Sequence, residues 1–177
     1  MIREEIRNLP KEDLVALLEI CRKGGRFQDG FWFMTVEDIW GIDKAVEIDA
    51  DIWSRFGKYE GQLLLKAFKW NENGIATLVK AVKLAPSWLF FDFSIEQVSD
   101  QEAVFEVKNC LAQTGRLRIG RSVYACRKVD EGYLNSFAQA INPKIKVERE
   151  FSPPDKYFDN LWCRWHFRLE DSETNRL

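Results

Sequence analysis

WLFFDFSI, residues 88–95, is where the chain changes period. Leu89, Phe91, Phe93 and Ile95 alternate onto one face, as a half-buried strand requires. Upstream of it, apolar residues recur every three or four positions. Downstream, AVFEV at 103–107 alternates again after the turn-like Ser99-Asp100-Gln101, so the two runs read as a hairpin. IKVEREF at 145–151 and LWCRWHFRL at 161–169 repeat the pattern, separated by the breaker Ser152-Pro153-Pro154-Asp155. Between them, Leu134, Phe137, Ala138 and Ile141 predict a short helix over 131–141. Residues 110–130 carry no clean period. The fold class is α+β: N-terminal helices followed by an antiparallel sheet of about four strands with one crossing helix.

The helical part covers about 9–86. Pro10 suits a first helical turn, and Leu14, Leu17, Leu18 and Cys21 form an apolar stripe before Gly24-Gly25 predicts a stop. After the turn-like Gln28-Asp29-Gly30, a second stripe carries Ile39, Ile42, Val46, Trp53 and Phe56. Shorter helices follow around Leu63–Trp70 and Ile75–Ala85, the latter ended by Pro86. The sheet-containing part covers about 87–169, and the tail 170–177 reads as frayed. No repeat, linker or low-complexity block divides the 177 residues, so a single domain is expected over 1–177.

The chain is 46% hydrophobic and 31% charged, with a formal net charge of -2. That balance excludes a basic nucleic-acid footprint. No apolar run approaches the length of a membrane span. MIREEIRNLP carries acids and lacks the apolar core of a secretory leader, so the cytoplasm is the expected location. There the four cysteines are expected to be thiols. Seven Trp and thirteen Phe are many for a monomer of this size, which predicts self-association as a homodimer.

WCRWHF, residues 162–167, holds the last cysteine and the one histidine. Side chains three apart on a strand point to opposite faces, so Cys163 enters the core while His166 stands outside with Arg164 and Arg168. Cys21 sits on an apolar stripe and reads as core. Cys110 and Cys126 are different. They lie within 108–128, where Lys108, Arg116, Arg118, Arg121, Arg127 and Lys128 meet no acidic residue. Cationic neighbours lower a thiol's pKa and hold anions, so the segment is either a solvated basic loop or an anion-binding, thiol-bearing site. GRLRIG is not a phosphate-loop motif. Asp49 falls at helical spacing from Val46, Trp53 and Phe56, either at the stripe's edge or facing the interior, where burial would raise its pKa. With one histidine, a Ser/His/Asp triad cannot be assigned.

Four segments together carry a resemblance. They are DGFWFMTVEDIWGIDKAVEIDADIW at 29–53, the stretch from Lys108-Asn109-Cys110 through Ala125-Cys126-Arg127, INPKIKVE at 141–148, and the SPPD…WCRWHF end. Over about residues 9–169 the chain resembles a family of uncharacterised cytosolic proteins. That family is similar to the L-2-amino-thiazoline-4-carboxylic acid hydrolase-like proteins and, more remotely, to 4-vinyl reductase-type ligand-binding domains. The resemblance implies an α+β domain with a cysteine-lined pocket. The family carries cysteines at the positions of Cys110, Cys126 and Cys163, and two more where this chain has Ser152 and Leu161. A cluster reduced to three thiols predicts no bound metal and favours no cofactor. The expected activity is binding of a small anionic molecule by Cys110, Cys126 and Cys163 with Arg116, Arg118 or Arg121. One alternative is a thiol-dependent hydrolase of a small amino- or thio-acid, with Cys126 as nucleophile and Asp49 or His166 as acid–base partner. Another is a metal-binding protein using Cys110, Cys126 and Cys163.

Overall fold

The computed structural model describes residues 3–155 and 161–170; of the tail read as frayed, residues 171–177 lie outside them. After a single turn, α1 (Glu4–Arg7), the chain forms α2 (Lys11–Trp40), a continuous helix of 30 residues. The stop expected at Gly24-Gly25 and the turn at Gln28-Asp29-Gly30 do not occur. A helical glycine costs only about 1 kcal/mol relative to alanine, and strong helix formers surround these three. The break comes instead at Gly41, whose φ of 84° closes α2 and opens α3 (Ile42–Phe68). The helix expected at 63–70 is the last part of α3, which ends on Lys69 in the left-handed region. α4 (Ile75–Leu84) is followed by a 3-10 turn over Pro86–Phe90.

The expected inward stripe of α2 is corrected. Leu14, Leu18 and Cys21 are exposed, and the first buried residue of α2 is Phe33. Amphipathic spacing made that stripe, but the packed body begins further along the helix. Among the described residues, no helix is long and apolar enough to cross a membrane.

Four strands follow: β1 (Asp92–Gln97), β2 (Glu102–Asn109), β3 (Ile145–Phe151) and β4 (Cys163–Leu169). They form an antiparallel sheet in the order β1-β2-β4-β3. α5 (Leu111–Arg118) and α6 (Arg127–Ile141) lie between β2 and β3 in sequence, and α6 is the crossing helix. WLFFDFSI therefore contributes only its second half to the sheet. Pro86 starts the 3-10 turn that takes Trp88 and Leu89 out of the strand, leaving Ile95 buried and Phe93 packed against the core.

Alternation divides the sheet cleanly. Ala103, Phe105 and Val107 of β2 and Cys163, Trp165 and Phe167 of β4 face the helices and are buried. The other face is an ionic lattice. Arg164 bonds Glu106 and Glu150, Arg168 bonds Glu102 and Glu148, and His166 lies between Glu102 and Glu150.

α3 and α6 cross with their backbones nearly in contact. A Cβ on Gly57 would lie 2.5 Å from the Tyr133 carbonyl oxygen, and one on Gly61 would lie 2.9 Å from Ala140 Cβ. Between these two glycines, buried Glu60 accepts hydrogen bonds from the Ser87 amide (3.0 Å), the Ser87 hydroxyl (2.8 Å) and the Tyr133 phenol. One carboxylate thus ties α3, the 3-10 turn and α6 together. Trp88 packs on Phe105 at 4.6 Å and on Tyr133 at 5.6 Å, joining that tie to the sheet.

Candidate functional site

The sheet and α6 leave a space beside the α3 crossing that no side chain fills. It is a cavity of about 430 Å3, walled by α2, α3, α5, α6 and the neighbouring ends of β2 and β4. Chain direction explains why three thiols meet there. Val107 of β2 pairs with Cys163, the first residue of β4. Cys110 follows β2 at the start of α5, and Cys126 starts α6. All three line the cavity, with Phe33, Trp53, Trp88, Tyr124 and Tyr133 as its aromatic wall. Cys21, exposed on α2, is not part of its lining.

The surroundings of these thiols favour the protonated form. Burial pushes the Cys110 thiol up to about 12. It pushes Cys126 and Cys163 well above the ordinary thiol value, and the negative charge of Asp130 adds to both shifts. The Cys126 thiol donates to Asp130 Oδ2 at 3.1 Å, one helical turn away. The low pKa expected from the basic segment is thereby corrected, since Arg127 and Lys128 are exposed and turn from the cavity. Iodoacetamide at pH 8 is therefore expected to label exposed Cys21 first and leave the other three largely unmodified, as read by peptide mass spectrometry. Rapid labelling of Cys126 would contradict this.

The arginines have partners that sequence distance concealed. Arg116 makes a bidentate pair with Glu37 of α2, at 2.6 and 2.8 Å, and donates from Nε to the Ser122 carbonyl at 2.9 Å. Its guanidinium stacks near Phe33 and Tyr124. Arg121 bonds Glu37 and Asp38 and is not part of the cavity wall. Arg118 and Arg26 do line it. Of the three arginines expected to meet an anion, only Arg118 reaches the cavity without an acidic partner in α2. The Arg116 hydrogen bonds hold the Glu37 carboxyl below its ordinary value. Arg116→Ala is expected to cost about 2 kcal/mol in denaturant unfolding, because it removes a buried guanidinium and leaves the half-buried Glu37 carboxylate with Arg121 alone. A loss under about 0.5 kcal/mol would mean the pair behaves as a surface contact.

Asp49 points inward, resolving the two placements its spacing allowed. It is 4% exposed, lines the cavity, and has no hydrogen-bond partner for Oδ1 among the described residues. Burial raises its pKa to about 8, with the charges of Asp29 and Asp130 adding and a Trp53 hydrogen bond opposing. Asp130 is raised to about 6, also by burial. His166 is corrected as an acid–base partner of Cys126. It stands on the outer face of the sheet, with Nδ1 3.1 Å from Glu102 and Nε2 3.0 Å from Glu150, while the cavity opens on the inner face. Ser152 and Leu161, where the resemblance implies two further cysteines, are buried outside the cavity lining. Among the described residues, no three His, Cys, Asp or Glu side chains are grouped to hold a metal ion.

Asp130, Tyr124 and Tyr133 are cavity residues that patterning did not single out. Asp130 carried a signal, since it lies four residues after Cys126 in a helical stretch. The tyrosines carried none beyond being aromatic.

A family of unknown function (DUF6125) matches residues 7–169, and the chain belongs to that family. No curated protein matches the chain. No solved structure matches it.

Proposed function

We propose that this protein binds a small molecule in the cavity between its helices and its sheet. The observation that carries the reading is the convergence of unlike polar groups on one aromatic-walled space. Cys110, Cys126, Cys163, Asp49 and Asp130 come from four different elements and meet at a cavity of about 430 Å3. Ligand sites combine an apolar wall with a few convergent polar groups in this way. Arg118 and Arg26 are the side chains left to meet an anionic group on the same ligand.

The resemblance to the thiol hydrolases supports a second reading, and the Cys126–Asp130 contact of 3.1 Å is its best geometric support. Its difficulty is the thiol itself. Burial and Asp130 both oppose the thiolate that such chemistry needs. Binding therefore ranks first.

Native mass spectrometry after incubation in cell extract and buffer exchange tests the reading. The expected result is one bound species per chain and a raised melting temperature. Gly115 lines the cavity and a Cβ there would meet no atom within 4 Å, so Gly115→Trp is expected to reduce occupancy while circular dichroism is unchanged. A wild-type chain that stays ligand-free and unstabilised across extracts would overturn the reading.

A further inference from the structure

We infer that the inner end of this cavity takes the protonated amine of an organic cation, with the ammonium on Asp49 and the aromatic wall around it. The inference rests on the binding reading above and adds the chemical class of the ligand.

The first observation is the unpartnered oxygen. Asp49 is almost fully buried, borders the cavity, and offers Oδ1 with no hydrogen-bond partner among the described residues, although the Trp53 indole acts on the same carboxyl. A buried acceptor without a donor costs about 1–3 kcal/mol, so a ligand that donates there recovers that loss. The second is the sign of the surroundings. From α2 the charged group acting on Asp49 is Asp29, exposed at the mouth; from α6 it is Asp130. Tyr124, ahead of α6, feels Asp49 in turn. The remaining acids of the lining are the thiols Cys110, Cys126 and Cys163 and the phenol of Tyr133. Asp29 and Asp130 both act on Asp49, and an anion there would meet like charge. The cations of the lining are Arg26, Arg116 and Arg118, of which Arg116 is neutralised by Glu37 against Phe33 and Tyr124.

The third observation is the wall. Trp53 sits one helical turn from Asp49 on α3, and its ring meets Tyr133 edge-on at 5.6 Å. Electron-rich faces beside a carboxylate stabilise an ammonium that has left water. An alcohol or amide would satisfy the oxygen alone; an ammonium also offsets the clustered acids.

Binding then has a proton balance. In the empty site below pH 8 the Asp49 carboxyl holds a proton. When the ammonium arrives with its charge, Asp49 becomes a carboxylate and its proton leaves to solvent, so one proton is released per ligand bound. Asp130 and Asp29, both raised to about 6 and so mostly ionised at pH 7, can each add only a small fraction.

Isothermal titration with three indoles tests this: tryptamine, tryptophol with a hydroxyl in place of the ammonium, and indole-3-acetate with a carboxylate. At pH 7 tryptamine is expected to bind at least about tenfold more tightly than either of the others. Its apparent enthalpy is expected to differ between phosphate and Tris by about one proton's buffer ionisation, and the difference fades well above pH 8. In Asp49→Asn the tenfold preference for tryptamine over tryptophol is expected to vanish. Tryptophol or indole-3-acetate binding as well as tryptamine, or a preference that survives Asp49→Asn, would overturn the inference and leave the cavity reading standing. Failure of all three indoles, together with an extract experiment that yields no ligand, would overturn both.

Discussion

Asp49→Asn is expected to stabilise the protein at alkaline pH, by about 3 kcal/mol at pH 9. The sign follows from the proton inventory. Asp49 titrates at about 8 in the fold, whereas an unfolded aspartate titrates near ~3.9. Between those values the folded chain holds a proton that the unfolded chain has released, so stability falls as pH rises through the window. Below it both states are protonated and no penalty remains. Above it the folded protein carries the full cost of a buried carboxylate. Every tenfold change in proton affinity is worth about 1.4 kcal/mol, which sets a ceiling that relaxation and entering water will reduce. Asparagine cannot ionise, so the variant loses this slope and keeps only the shorter windows of Asp29 and Asp130, which end at about pH 6. Urea unfolding at pH 5, 7 and 9 reads the effect. Parallel stability profiles for the two proteins would mean Asp49 is already satisfied in the fold. A stabilising change at the residue assigned to the ligand is the usual trade between stability and function.

Gly57→Ala is expected to cost about 3 kcal/mol or more, an unusually large loss for one methyl group. The added Cβ would lie 2.5 Å from both the Tyr133 carbonyl oxygen and Ser136 Oγ. The hydroxyl can rotate away, but the carbonyl belongs to α6 itself. The two helices must therefore separate, which loosens the Tyr133–Glu60–Ser87 tie and moves a wall of the cavity. Two controls isolate the mechanism. A Cβ on Gly132 meets Ser54 Cβ at 3.3 Å, a distance a small shift relieves, so Gly132→Ala should cost about 1 kcal/mol or less. Gly24 meets nothing within 4 Å in mid-helix, so Gly24→Ala should stabilise by up to about 1 kcal/mol. Equal effects from all three substitutions in denaturant unfolding would remove close helix approach as the cause.

The strands were readable because burial on one face writes a period of two into short sequence. From Cys163 onward, CRWHFRL alternates without exception, and that alone separates Cys163 from His166. Helix ends were harder, because Gly24-Gly25 and Gly41 look alike in sequence and differ only in φ. Gly41 is left-handed at 84°, while α2 runs on through the others. Burial of α2 failed for a related reason: amphipathic spacing marks a stripe that can be covered but does not supply the cover. Of the site, the cysteine positions were legible through the resemblance and Asp49 through its spacing. The pairing of Arg116 and Arg121 with Glu37 was not, since 79 and 84 residues separate the partners. Charge counted along the segment 108–128 therefore overstated the positive potential that α2 cancels in space.

The ionic lattice on the outer face of the sheet selects among alignments of the strands. A slip of one residue between β2 and β4 would turn Phe105 or Trp165 to solvent, and burial forbids it. A slip of two keeps every apolar side chain inside, so the core does not distinguish it from the native arrangement. The lattice does. In the native alignment Glu102 stands opposite Arg168 and Glu106 opposite Arg164, with His166 across from Val104 and within reach of Glu102. Sliding β4 by two residues either way sets an arginine opposite Val104 and leaves neither glutamate facing one. Exposed ion pairs contribute little to stability, about 0–1 kcal/mol each. Their consequence here is discrimination: they make one alignment cheaper than the neighbour that hydrophobic burial would equally accept, and they fix where Cys163 arrives beside Val107.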